Sequence, residues 1–233
     1  MSLPAGRSKK LLVLLLLLAA LAWVVLLRAP MDAMTSAPLF LGLWVVMMVA
    51  MMLPSAAPMV LTFSRIYEKK RQQGFVPTWT FVSGYLVLWS LFGALAYLAA
   101  LSIAVLNVPW LDGRFAGALL IISGLYQFTA LKNACLQKCQ SPFDFLFSSW
   151  HDGRLGAFRM GLKHGAYCLG CCWLLFLILF PLGVMNIALM ALLTVLIFAE
   201  KSWSRHIVTR AAGIVLIAFG AASLLMPGLL PTA

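Results

Sequence analysis

The chain has 233 residues, 64% of them hydrophobic and 10% charged, with a formal net charge of +11. Soluble domains are nearer half apolar and a quarter charged, so this composition excludes one. The apolar runs are long and continuous, which excludes a membrane β-barrel and its short alternating segments.

Residues 1–10 carry Arg7, Lys9 and Lys10 ahead of an apolar run at 11–27. That run exceeds the ~7–15 apolar residues of a signal peptide, so an uncleaved first span is expected. The second span, 39–63, contains WVVMMVAMMLPSAAPM and ends at Arg65, Lys69, Lys70 and Arg71. A third at 78–105 precedes the loop NVPWLDGR, and a fourth covers 115–131. The longest polar stretch, 132–160, holds Cys135, Cys139 and the amphipathic piece FDFLFSSW, which suits a membrane interface. The fifth span is 161–180, followed by a turn at Pro181-Leu182-Gly183. The sixth and seventh are 184–199 and 211–226. The expected fold is all-α: a polytopic membrane protein of about seven transmembrane helices, in one domain over residues 1–233.

Fifteen of the 17 basic residues fall at the N-terminus, in the loops after spans two, four and six, or, for Lys163, at the start of span five. By the positive-inside rule the N-terminus is cytoplasmic and the C-terminus outside. The charge is then a topology signal and an affinity for anionic headgroups, and no nucleic-acid partner is expected.

The five cysteines are odd in number and clustered at or inside apolar segments, unlike a secreted disulfide framework. HGAYCLGCCW, from His164 to Trp173, concentrates three of them with a histidine. On an α-helix His164, Cys168, Cys171 and Cys172 share an arc of roughly 100°. Thiols and an imidazole on one face can bind a soft metal or exchange disulfides. The same residues also suit a tightly packed helix interface.

Met47, Met48, Met51, Met52 and Met59 share an arc of about 140° on span two. Thioethers suit Cu(I), although methionine is also a common filler of apolar helices. Pro54 and Pro58 each remove a helical hydrogen bond, freeing the carbonyls of Ala50 and Pro54. A helix broken there would resemble the discontinuous helices of transporter ion sites; the alternative is a packing kink. At 1.5 Å per residue, Met51 and Met52 lie at roughly the ~15 Å depth of Cys171 and Cys172. They meet if spans two and five are neighbours. Cys135 and Cys139 are i, i+4 if helix continues past span four, and Lys132 and Lys138 would favour their thiolates. Such a pair serves as metal ligands or as a redox couple.

Glu200, beside Lys201, reads as a paired end charge, and His151 and His206 fall in loops. No carboxylate lies mid-span, against a proton-coupled pump. No nucleotide-binding or hydrolase motif supports an enzyme activity.

WVVMMVAMMLPSAAPM, CLQKCQSP, HGAYCLGCCW and GVMN…AEK together resemble a bacterial family of predicted metal-binding integral membrane proteins of unknown function. The resemblance covers about 39–201. It implies a cell-membrane location and a metal site formed by these cysteines and this histidine, with the methionines as further candidates.

Three readings follow. The first is a protein that binds or handles a soft transition metal, Cu(I) ahead of Zn, through His164, Cys168, Cys171, Cys172, Cys135, Cys139, Met51 and Met52. Its partners are the lipid bilayer, the ion and a metal-receiving membrane or periplasmic protein. The second is a membrane thiol–disulfide relay. The third is an assembly or structural subunit without chemistry of its own.

Overall fold

The computed structural model describes residues 5–29, 36–71, 75–105, 113–183, 186–202 and 206–226. Among them every regular element is helical. In chain order these are α1 Ala5–Leu27, α2 Ala37–Arg71, α3 Phe75–Val105, α4 Gly113–Tyr126, α5 Ala130–Gln140, α6 Pro142–Ser149, α7 Gly153–Leu177, α8 Leu179–Leu182, α9 Ile187–Ser202 and α10 Ile207–Leu225. Helix suits such apolar runs because it satisfies its own backbone polar groups without water.

Five helices are long and apolar enough to cross a membrane: Ser8–Leu27, Ala37–Lys70, Val76–Ser102, Gly153–Leu182 and Ile207–Leu225. A bent pair, Phe115–Tyr126 with Ala130–Gln140, makes a sixth if it counts as one span. The expected span at 115–131 therefore ends early, with a 66° bend between α4 and α5. The expected span at 184–199 corresponds to α9, and residues 184–185 lie outside those described. With 16 residues, α9 is about 24 Å long at 1.5 Å per residue, short of a ~30 Å hydrocarbon core.

Of the two readings of PSAAP, the broken helix does not hold: α2 runs unbroken through both Pro54 and Pro58. Each proline costs one hydrogen bond, but ending the helix in hydrocarbon would strand several more groups. Hydroxyls add local bonds here. Ser55 Oγ donates to the Met52 carbonyl at 2.9 Å, and Thr62 Oγ1 to the Pro58 carbonyl at 2.8 Å.

The chain divides into two compact units, residues 1–93 with 137–169 and residues 94–136 with 170–233. In the first, Leu15, Phe63, Phe81, Phe145, Leu146 and Met160 belong to one buried core. Within it, α3 and α7 approach backbone to backbone. A Cβ on Gly161 would run into the Phe81 carbonyl, and one on Gly84 into that of Phe158. α6 lies against α2 and splits its face: Phe145 and Leu146 are buried while Phe143 and Phe147 are exposed. The next helix starts at Gly153, whose φ of +84° suits only a residue without Cβ.

In the second unit, α4 and α10 meet through glycines spaced seven apart on each helix. Gly117 faces the Gly220 carbonyl, and Gly124 faces that of Gly213. Seven residues are two turns, so each pair lies on one face and lets the backbones close together.

Candidate metal centre

The glycines of α7 position its chemistry in the first unit. Gly161 and Gly165 are one turn apart and bring α3 into contact, with the Tyr85 carbonyl 3.3 Å from a Cβ built on Gly165. Tyr85 thus reaches the next turn of α7, where its hydroxyl lies 3.1 Å from Cys168 Sγ. Cys168 Sγ is also 4.0 Å from Met52 Sδ of α2. Cys168 and Met52 are both fully buried. Spans two and five are therefore neighbours at this level, and their contact is sulfur to sulfur.

One turn before Cys168, His164 is 2% exposed. Its ring stacks on Phe81 and Tyr85, with centroids 6.0 and 5.6 Å away. Phe145 meets it edge-on at 5.5 Å. The imidazole is thus buried in an aromatic cage. Met51 is fully buried beside Met52 in sequence.

In the second unit, Cys171 and Cys172 are each 1% exposed, with their sulfurs 3.2 Å apart. Gly170 precedes them, and a Cβ there would lie 2.7 Å from Cys135 Sγ. A side chain there would have to push that sulfur aside. Tyr126 Oη donates to the Gly170 carbonyl, and Ser123 Oγ to the Leu174 carbonyl at 3.3 Å. The Tyr126 ring meets Trp173 edge-on at 5.9 Å. These contacts hold α4 and the start of α5 against this part of α7. α5 is helical over Ala130–Gln140, so Cys135 and Cys139 share its face, one buried and one half-buried. None of the five cysteines is in a disulfide.

No three His, Cys, Asp or Glu side chains gather around a common point among the described residues. The sulfur pairs can be tested against an ion by their spacing. With metal–sulfur bonds of ~2.3 Å, two sulfurs on one ion stand ~3.8 Å apart if tetrahedral and ~4.6 Å if linear. Met52 and Cys168, at 4.0 Å, already span that range. Cys171 and Cys172, at 3.2 Å, are in thiol–thiol contact and would open by a side-chain rotation.

A family model described as PpoB2, copper chaperone, matches residues 41–223. The chain belongs to this copper-chaperone family. No curated protein and no solved structure matches. Membership makes copper handling the general function and agrees with the metal-related family that the sequence motifs resemble.

The sequence reading overlooked several residues around these sulfurs. Tyr85 and Tyr126 sit in apolar helices without a motif of their own. The signal for Tyr85 was the spacing of Gly161 and Gly165, which marks a face where another helix approaches closely. Glu200 is corrected from an end charge to a buried one, 1% exposed, with Oε2 2.8 Å from Lys132 Nζ. Lys132 is itself fully buried, in α5 one turn before Cys135. The two partners are 68 residues apart, and no local pattern connects them.

Proposed function

We propose that the chain is a multi-pass protein of the bacterial cell membrane that binds Cu(I) as cargo and delivers it to a metal-receiving membrane or periplasmic protein. Seven spans, with the N-terminus cytoplasmic and the C-terminus outside, complete this reading. The observation that carries it is the buried Met52–Cys168 sulfur pair at 4.0 Å, in a chain of a copper-chaperone family. Thioether and thiolate are soft ligands, and the pair selects Cu(I) over the harder ions, with Zn second. Cys171 and Cys172 on α7, with Cys135 on α5, offer a second group of thiols. Met51, His164 and Cys139 stand next to these ligands in the helical order. Each thiol that takes the metal releases its proton, so loading weakens as pH falls.

Copper content of the detergent-purified protein, loaded under reducing conditions, tests the proposal. Wild type is expected to retain copper, and the Cys168/Cys171/Cys172→Ser variant to lose it at unchanged helicity. Wild-type copper or zinc below about 0.2 per chain would sink a soft-metal function. The vicinal contact of Cys171 and Cys172 favours the thiol relay as the second reading. Thiol trapping in cells separates the two, since a carrier keeps all five cysteines reduced while a relay cycles them.

Tyr85 supplies a finer test. Its hydroxyl orients the Cys168 sulfur, and outer partners of this kind are worth roughly 10–100-fold in metal affinity. Tyr85→Phe keeps the ring against His164 and is expected to weaken Cu(I) binding about tenfold in competition with a chelator of known affinity. An unchanged affinity would mean that Cys168 is not a ligand.

A further inference from the structure

The second unit holds a polar cavity of about 330 Å³ that the copper reading does not use. It lies where α4 bends into α5 and α10 begins, lined by Gln127, Phe128, Asn133, His206, Thr209 and Arg210. Among the described residues that line it, none is acidic. Gln127 is 1% exposed, and its Oε1 is buried without a hydrogen-bond partner among the described residues. An unmet amide so deep in a protein is costly unless something fills the cavity beside it. α10 opens at His206, whose side chain makes no capping bond. The N–H groups of the first turn, at Ile207, Val208 and Thr209, therefore have no helical acceptor. They carry the positive end of a 19-residue helix, next to the Arg210 guanidinium.

We infer that this cavity binds a phosphoryl group. Its donors outnumber what a carboxylate can use: the Arg210 fork, the Asn133 amide, the Thr209 hydroxyl, the His206 ring and the helix N-terminus. A phosphoryl group offers several acceptor oxygens around one centre. Gln127 Oε1 needs a donor, which a protonated phosphate or the ammonium of a phosphoethanolamine headgroup supplies. Phe128 is 44% exposed at the rim and Ile207 is 64% exposed beside it, so the same chemistry can arrive on a lipid or free in solution. Asn133 and Gln127 lie on either side of the α4–α5 bend, and the bound group would tie the two helices to α10.

The test uses the full chain in lipid-free detergent and in nanodiscs. Inorganic phosphate is titrated in the first, and phosphatidylethanolamine is compared with phosphatidylcholine in the second, with thermal stability and retained phosphorus as readouts. Stabilisation by phosphate in detergent identifies a free ion. Stabilisation only by phosphatidylethanolamine identifies a lipid headgroup. In either arm Arg210→Gln is expected to weaken binding at least tenfold, since it removes a charge-assisted hydrogen bond from an exposed residue that the fold does not need. Gln127→Leu is expected to gain stability without ligand and to lose the response to it. Copper content should be unchanged in both variants. The proposal is overturned if neither ligand stabilises the wild type, or if both variants respond as the wild type does.

Discussion

Replacing Lys132 by Met, with Glu200 left in place, is expected to destabilise the protein by about 3–5 kcal/mol. The two side chains are 0% and 1% exposed and 2.8 Å apart, in α5 and α9 of the second unit. Removing the ammonium leaves a carboxylate in a site that water does not reach, and that desolvation is the larger part of the loss. Glu200→Leu should cost a similar amount, since it strands the lysine. The double variant Lys132→Met/Glu200→Leu should recover most of the loss, because two apolar side chains of similar volume need no counter-charge. Thermal unfolding in detergent measures this, with single-variant shifts of about 10 °C expected for a chain of this size. Losses that simply add in the double variant would contradict a coupled pair. The pair also matters to the thiols, since Lys132 anchors the helix that presents Cys135 at Gly170.

Gly161→Ala is expected to cost about 2 kcal/mol, against the ordinary sign for this substitution in a helix. Alanine normally gains up to about 1 kcal/mol over glycine there. At Gly161 the added Cβ would overlap the Phe81 carbonyl, a backbone atom that cannot rotate aside. Separating α3 from α7 is the only relief, and overpacking of this kind costs about 1–3 kcal/mol. The same separation would withdraw the Tyr85 hydroxyl from Cys168, so copper affinity should fall with stability. Gly42→Ala is the control. It lies in α2 with nothing within 4 Å of a Cβ, and it should be neutral or stabilising. Equal effects at the two positions would mean that the α3–α7 contact is not close.

Several features were legible in the sequence for definite reasons. Long apolar runs without charge make helices long and apolar enough to cross a membrane, so the all-helical class followed from composition and run length. The clustering of soft side chains was legible because sulfur-bearing residues recur at helical spacing in HGAYCLGCCW and in the Met-rich second span. Other features were read only partly. The PSAAP stretch looks like a break because proline is judged by its local cost. The helix persists because the alternative leaves more backbone groups unpaired in hydrocarbon. The end of the fourth span was placed by hydropathy, which does not register the 66° bend between α4 and α5.

The sequence by itself determined that this is a helical chain with spans apolar enough for a membrane and with thiols and a histidine on one face of one helix, because periodicity and side-chain chemistry are local properties. Only the tertiary structure decided which of these side chains meet. Met52 and Cys168 are 116 residues apart in the chain, and they touch because α2 and α7 pack in one core. Tyr85 joins them because two glycines one turn apart let α3 close on α7. The same holds for Lys132 and Glu200, each an ordinary helix-end charge until folding excludes water from both. Pairings of this kind depend on which helix faces press together, and no spacing within a single helix encodes that.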